Sequence, residues 1–372
     1  MRVLFLYLKA FSFTGGIEKF NRSFLKALHE LSVDGFFDAD GFSSFDTATD
    51  ERYFPAQRFK GYGGKRMLFV IATLVRSFKY NTIILGHINL SVIGYLIKKI
   101  RPNVKLILVT HGIEVWKTHV GHKKKLLECA DVILSVSEFT KTKIIEFNPS
   151  VAADKIRVFP NTIDPYFVAP TNFEKPDYLV KRYNIDADTK VILTVTRLSF
   201  SEKYKGYDNT IELLHELGDK ENKVRYLLCG KADKEEENRI QELIKENNIA
   251  EKILLTGFIK DEELIDHYLL ADVFAMPSKK EGFGIVFIEA LTCGRKVIAG
   301  SKDGSVDALL NGKLGKLVDP DSKEELIVAI QESLDNVNYS PLLLQQQVFD
   351  AFGFHRYKER LKNYLTNNSQ QD

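Results

Sequence analysis

Cysteine, methionine and tryptophan are scarce in this chain, with three, three and one among 372 residues. Cys129, Cys229 and Cys293 are far apart, odd in number and without histidines at metal-ligand spacing. That pattern excludes a disulfide framework and a structural zinc site and suits a reducing compartment, so a cytoplasmic location is expected. Long hydrophobic runs are missing too. Met67–Val75, the longest in its region, falls far short of the roughly 20 apolar residues a membrane-spanning helix needs. Met1–Leu8 is a short apolar run ended by Lys9 and reads as a first buried strand rather than a signal peptide. Short repeats are absent, and the one low-complexity tract is the polar stretch Asn367–Asp372.

Acidic residues are absent from one whole segment. Between Glu51 and Glu114 there is none, while Arg52, Arg58, Lys60, Lys65, Arg66, Arg76, Lys79, Lys98, Lys99, Arg101 and Lys105 all fall there. The net charge of +2 therefore hides an asymmetry: Met1–Pro170 holds 24 Lys and Arg against 15 Asp and Glu, and the remainder 28 against 35. A basic first half points to an anionic surface or substrate. Nucleic acid is not expected, because the charge is diffuse and no recognition module is present. The segment Arg66–Lys79 mixes apolar and basic residues at helical spacing. It reads as a core-packed helix with basic outer positions, or as a helix lying on an anionic membrane surface.

What is present is alternation. Short apolar strands at Val3–Leu8, Thr82–Leu85, Leu106–Thr110, Val132–Ser135 and Ile156–Phe159 are separated by helical patterns at 17–31, 66–79, 91–100, 122–129 and 137–147. Continuous apolar strands between helices predict a parallel sheet covered on both faces. Pro165, Pro170 and Pro176 break the pattern, and a linker is placed near Asp164–Pro176. A second series follows at Val191–Thr196, Tyr226–Cys229, Ile253–Thr256, Val273–Met276, Val297–Ala299 and Lys316–Val318. Two doubly wound α/β domains are expected, over 1–165 and 177–353. Ligands of such sheets bind beyond the carboxyl ends of the strands, which places the expected site in the loops there, at a cleft between the domains.

One such loop stands out. Glu281-Gly282-Phe283-Gly284-Ile285-Val286-Phe287-Ile288-Glu289 sets two carboxylates eight residues apart, one before a helix and one within it. At about 1.5 Å per residue they are separated by about 12 Å, close to the distance from ribose to sugar ring in a nucleotide sugar. Each carboxylate can accept hydrogen bonds from vicinal hydroxyls, and the helix start between them offers N–H groups to a diphosphate. Taken without context, the same residues are a surface loop followed by an ordinary helix.

The spacing E-G-F-G-x4-E resembles the signature of glycosyltransferase family 4, retaining enzymes of the GT-B fold, and the resemblance runs over essentially the full chain. It implies that Glu281 holds hydroxyls of the donor sugar and Glu289 the ribose, with Gly282, Phe283, Gly284 and Ile285 around the donor. It implies that Arg197 and Lys205, after the first strand of the second domain, neutralise the donor diphosphate, with Lys203 a competitor for the lysine role. Gly16, in Thr14-Gly15-Gly16-Ile17-Glu18, would face the phosphate. Phe258 and Ile259 would touch the base through backbone atoms. His111 would stand near the reacting sugar, with His87 in a similar position. The hinge sequence here is Pro160-Asn161-Thr162-Ile163-Asp164, with Thr162 where the family has glycine. At Gly300-Ser301-Lys302-Asp303-Gly304-Ser305-Val306-Asp307 many relatives have two adjacent glycines and then Glu, so donor contacts from this loop are left open. Asn311-Gly312-Lys313-Leu314-Gly315 matches the family closely. A helix from about Phe354 to the end (354–372) would cross back onto the first domain.

The expected activity is retaining transfer of a sugar from a nucleoside-diphosphate sugar to a saccharide or lipid-linked acceptor, in cell-surface polysaccharide or glycolipid synthesis. The location would be cytoplasmic, peripheral on the inner face of the cell membrane. The alternatives are a noncatalytic sugar-nucleotide-binding protein, a sugar phosphorylase or a sugar-nucleotide epimerase. No cofactor and no metal are expected. Asp38-Ala39-Asp40, Asp186-Ala187-Asp188 and Asp319-Pro320-Asp321 have the D-x-D form of metal-dependent enzymes, but all three read as loops, and Arg197 and Lys205 already supply positive charge.

Overall fold

The computed structural model describes residues 1–217, 223–335 and 339–366. By contacts the chain divides into one unit of Met1–Phe167 with Phe352–Asp372, and a second of Val168–Ala351. The first contains strands β1 Arg2–Tyr7, β2 Asp38–Ser43, β3 Phe59–Gly61, β4 Thr82–Leu85, β5 Lys105–Thr110, β6 Val132–Ser135 and β7 Ile156–Val158. Its helices are α1 Gly16–Val33, α2 Arg66–Ser77, α3 Ser91–Ile100, α4 Gly121–Cys129 and α5 Glu138–Phe147. The second contains β8 Lys190–Val195, β9 Val224–Cys229, β10 Ile253–Gly257, β11 Val273–Met276, β12 Lys296–Gly300 and β13 Lys316–Val318. Its helices are α6 Asp177–Arg182, which precedes β8, then α7 Tyr207–Leu213, α8 Lys234–Glu246, α9 Asp261–Leu270, α10 Ile285–Thr292, α11 Ser305–Ala308, α12 Lys323–Asp335 and α13 Pro341–Phe352; α14 Phe354–Thr366 belongs to the first unit.

Both sheets are doubly wound and their strands pair in parallel. The strand orders are β3-β2-β1-β4-β5-β6-β7 and β10-β9-β8-β11-β12-β13. The central strands are apolar throughout because helices cover both faces: Val3–Tyr7, Ile83–Leu85, Leu106–Val109 and Val191–Leu193 are fully buried. β2 and β3 escape the sequence pattern. Asp38 and Asp40, read as loop residues, lie in β2, where pairing with β1 overrides their poor strand propensity. Asp40 accepts the Tyr80 hydroxyl at 2.8 Å and pairs with Arg2 and Arg58.

α14 packs against α1, as the resemblance implies. Tyr357 is buried with its ring centroid 4.5 Å from that of Phe159, and Lys358 Nζ pairs with Glu30 at 3.0 Å. The Phe352 carbonyl accepts from Ile163 N–H at 3.0 Å and from the Thr162 hydroxyl at 2.8 Å. Residues 367–372 of the expected helix lie outside the described residues. α2 turns Phe69, Thr73 and Ser77 inward and leaves Met67, Leu68, Ile71 and Val75 exposed, with Phe78 just beyond its end. The core-packed reading of this helix therefore holds for one stripe only. Among the described residues no helix is long and apolar enough to cross a membrane.

Candidate active site

Three loops of the second unit converge. The first follows β8 and carries Arg197, Lys203 and Lys205. It closes with Gly206 at φ +81°, where a Cβ would stand 2.2 Å from the Pro277 carbonyl oxygen, so only glycine lets the two loops approach. The second follows β11 and carries Pro277–Gly284. Lys279 N–H donates to the Tyr204 carbonyl at 2.8 Å and ties the two together. This contact brings Lys205 Nζ to 2.5 Å from Glu281 Oε2, with both side chains largely buried. Burial alone would lower the Lys205 pKa; the charge and hydrogen bond of Glu281 outweigh it, and the net shift is upward. Lys203 is elsewhere: it is exposed, and its Nζ lies 3.7 Å from the Phe200 ring centroid. Arg197 is exposed and bonded to Glu202.

The third loop follows β12. Asp303 is fully buried and accepts from the Ser278 hydroxyl at 2.6 Å, Glu281 N–H at 2.7 Å and Ser305 N–H at 2.9 Å. Burial pushes its carboxyl up to about 6, against the pull of these donors. The unfolded acid titrates near 3.8, so the folded unit holds the proton more tightly between these values. The stabilisation is complete below about pH 4 and is lost as pH rises through about 6. Asparagine does not titrate. The stability of Asp303→Asn relative to the parent should therefore rise between pH 4 and 7, by about 3 kcal/mol if the whole shift is expressed. Thermal melts across that window check this; a constant difference would show that the ionised acid carries no burial penalty.

α10 begins after Gly284, whose φ is +87° and whose Cβ would strike the Phe287 ring at 2.3 Å. Phe283 and Ile285 are buried beside it, and Gly282 is buried in the turn. Glu281 precedes the helix and Glu289 lies in it. Glu289 is 2% exposed, and its Oε2 accepts the Tyr268 hydroxyl at 2.9 Å. Phe258 follows β10 and is 61% exposed, and Ile259 beside it is half-buried.

In the first unit, Gly15 caps α1 and Gly16 opens it. No atom lies within 4 Å of a Cβ built on Gly16, so the fold itself does not demand glycine there. Asp46, 1% exposed, holds the preceding loop by accepting from the N–H groups of Ala10 at 2.7 Å, Phe11 at 3.2 Å and Ser12 at 2.9 Å. His111 follows β5 with its ring edge-on to Phe20, and its Nε2 lies 2.8 Å from the Gly86 carbonyl. A carbonyl only accepts, so Nε2 donates in this contact, and in the neutral imidazole Nδ1 is then the acceptor. His87 stands 6.1 Å from it, ring centroid to centroid. Its Nδ1 accepts from Asn89 N–H at 3.0 Å, and burial first, then His111, lowers its pKa to about 4.

Within the second unit the structure thus gathers Lys205, Glu281 and the turn Gly282–Ile285. Asp303 and Asp46 were not singled out as site residues. Asp303 had a signal, because it occupies a place where the family pattern has glycine. Asp46 had none, because the amides it binds are more than thirty residues away. The aspartates of the D-x-D strings pair with cationic side chains: Asp186 and Asp188 with Lys223, Asp319 with Lys302, and Asp321 with Lys279 and Lys302.

Two Rossmann-like sheets of this topology, with the last helix returned to the first unit, define the GT-B class of glycosyltransferases. Residues 14–167 match the model for Glycosyltransferase Family 4, and residues 178–341 the model for Glycosyl transferases group 1. The two matches take in both units, and the chain belongs to the family-4 glycosyltransferases. It is 31% identical over 245 residues to a GDP-mannose-dependent alpha-(1-6)-phosphatidylinositol monomannoside mannosyltransferase of Mycolicibacterium smegmatis, covering 62% of this chain and 61% of that protein. It is 25% identical over 223 residues to mannosylfructose-phosphate synthase of Agrobacterium fabrum, covering 58% of this chain and 48% of that one. The matches thus span about half to six tenths of the length of these relatives. Among solved structures, Anabaena HepE in complex with UDP superposes with a TM-score of 0.81 at 18% identity, over 99% of this chain and 100% of that one.

Proposed function

We propose that this protein transfers a sugar, with retention of anomeric configuration, from a nucleoside-diphosphate sugar to a saccharide or lipid-linked acceptor. The Lys205–Glu281 pair carries the reading. A lysine and a carboxylate held together in a largely buried turn are already stripped of much of their water. An incoming donor exchanges one ion pair for two charge-assisted contacts, phosphate on Lys205 and sugar hydroxyls on Glu281. Arg197 adds a second positive charge to the leaving diphosphate, and Gly16 a backbone approach to it. His111, through its free Nδ1, accepts from a hydroxyl of the reacting sugar or the acceptor. Glu289 serves the ribose, and Phe258 and Ile259 the base. Attack comes from the leaving-group side, with the departing phosphate taking the acceptor proton. Positive charge from two side chains makes the reaction independent of a metal ion. The relatives support such a donor: one is named for GDP-mannose, and HepE was also solved with UDP-glucose.

The test is a thermal-shift screen of UDP, GDP, ADP and their hexose conjugates, with and without EDTA. Stabilisation by one nucleotide family that survives EDTA is the expected result. Stabilisation that EDTA removes would overturn metal independence. A shift without sugar release or transfer would favour a binding protein.

The acceptor side works at an anionic lipid surface on the cytoplasmic face, in glycolipid or polysaccharide synthesis. Met67, Ile71, Val75 and Phe78 are exposed beside Arg66, Arg76 and Lys79, in the segment that contains no acid. Apolar side chains enter the lipid boundary while the cations meet headgroups. Vesicles of phosphatidylglycerol should bind the protein and phosphatidylcholine vesicles should not. Ile71→Glu with Val75→Glu should lower binding at least tenfold in a flotation assay. Binding equal to the parent's would remove this face from the membrane.

A further inference from the structure

We infer that Asp303 is a positioning residue for the donor sugar: it sets the place of Glu281 by holding that residue's backbone. The inference rests on the donor-site reading of Glu281. Glu281 is gripped at both ends of its main chain. Its N–H donates to Asp303 Oδ2 at 2.7 Å, and its carbonyl accepts from Gly304 N–H at 2.8 Å. The same Oδ2 accepts the Ser278 hydroxyl at 2.6 Å, so one carboxylate holds the loop after β11 three residues apart. Its other oxygen accepts Ser305 N–H at 2.9 Å and anchors it to the start of α11. The loops meet without room for side chains. A Cβ on Gly304 would lie 2.1 Å from the Gly282 carbonyl oxygen, and one on Gly300 2.0 Å from that of Ser278. With the backbone fixed, the Glu281 side chain is left as the part that can leave Lys205 for a ligand.

A merely structural role fits these facts less well. A fully buried acid with no cationic partner among its hydrogen bonds costs stability when ionised, and a neutral side chain of the same shape would relieve that cost. Glycine, which the family pattern places in this turn, supplies no such acceptor. What the carboxylate adds is a charged acceptor for the Glu281 N–H, shorter and stronger than a neutral one.

The test is calorimetry on the full chain with UDP-glucose, GDP-mannose, ADP-glucose and the matching nucleoside diphosphates. Asp303→Asn should weaken the bound conjugate at least fivefold and leave its nucleoside diphosphate within twofold. Glu281→Ala should show the same split. The double variant should bind the conjugate no more weakly than the weaker single variant, because both substitutions remove one interaction. Ser278→Ala, which frees one side of the carboxylate, should show the split at smaller size, and it carries the test if Asp303→Asn does not fold. Parent-like binding by Asp303→Asn, equal loss for both ligands, or multiplicative loss in the double variant would overturn the positioning role alone. Parent-like binding by Glu281→Ala, or no conjugate bound by the parent, would overturn the donor reading and this inference with it.

Discussion

Glu281→Ala should lower transfer by at least about 10²-fold in kcat, the order found when one charge-stabilising contact is lost from an active site. The fold should persist, because the residue's main-chain bonds to Asp303 and Gly304 survive the change. Lys205 is then left without its 2.5 Å partner and is free for the diphosphate. Affinity for the nucleoside diphosphate should therefore hold or rise while turnover collapses. Steady-state kinetics with calorimetry separates the two effects. Unchanged turnover would sink the role given to Glu281.

Lys205→Ala should produce the opposite split. It removes one of the two cations proposed for the diphosphate and leaves Glu281, with a side chain only 19% exposed, as an uncompensated carboxylate beside it. Nucleoside-diphosphate affinity should fall about 10- to 100-fold, in the range of losing one charge-assisted contact. Lys205→Arg should not restore it, since a forked guanidinium does not fit the place of a compact ammonium. Lys203→Ala is the control: its ammonium sits over Phe200 and should be dispensable. Equal affinity in Lys205→Ala by calorimetry would move the phosphate site elsewhere.

The parallel strands were legible because burial on both faces forces continuous apolar runs, and the thirteen strands among the described residues include every one the pattern marks. β2 and β3 were not, since Asp38, Asp40 and Gly41 carry no such run and join the sheet only through β1 and each other. The placing of Glu281 before a helix and Glu289 within it followed from local signals, the glycine turn and the apolar run. That Glu289 meets Tyr268 did not, because the contact crosses from one helix to another. That Lys205 rather than Lys203 pairs with Glu281 depends on the loop geometry that Gly206 and Pro277 impose. Periodicity showed that α2 has an apolar stripe. It could not show that the stripe is wider than the surface beneath it, which leaves Met67, Ile71 and Val75 uncovered.

The return of α14 to the first unit bears on how the chain is made. Phe20, Phe24 and Phe159 form one aromatic cluster with Tyr357, so part of the first unit's core is supplied from about two hundred residues further along the chain. Emerging from the ribosome, residues 1–167 wait with that cluster uncapped while the second unit, contiguous from Val168 to Ala351, is completed. The unit translated first is the last to close. A chain interrupted before Phe354 leaves these rings without Tyr357 over them, an uncovered apolar surface of the kind that makes incomplete chains prone to aggregation.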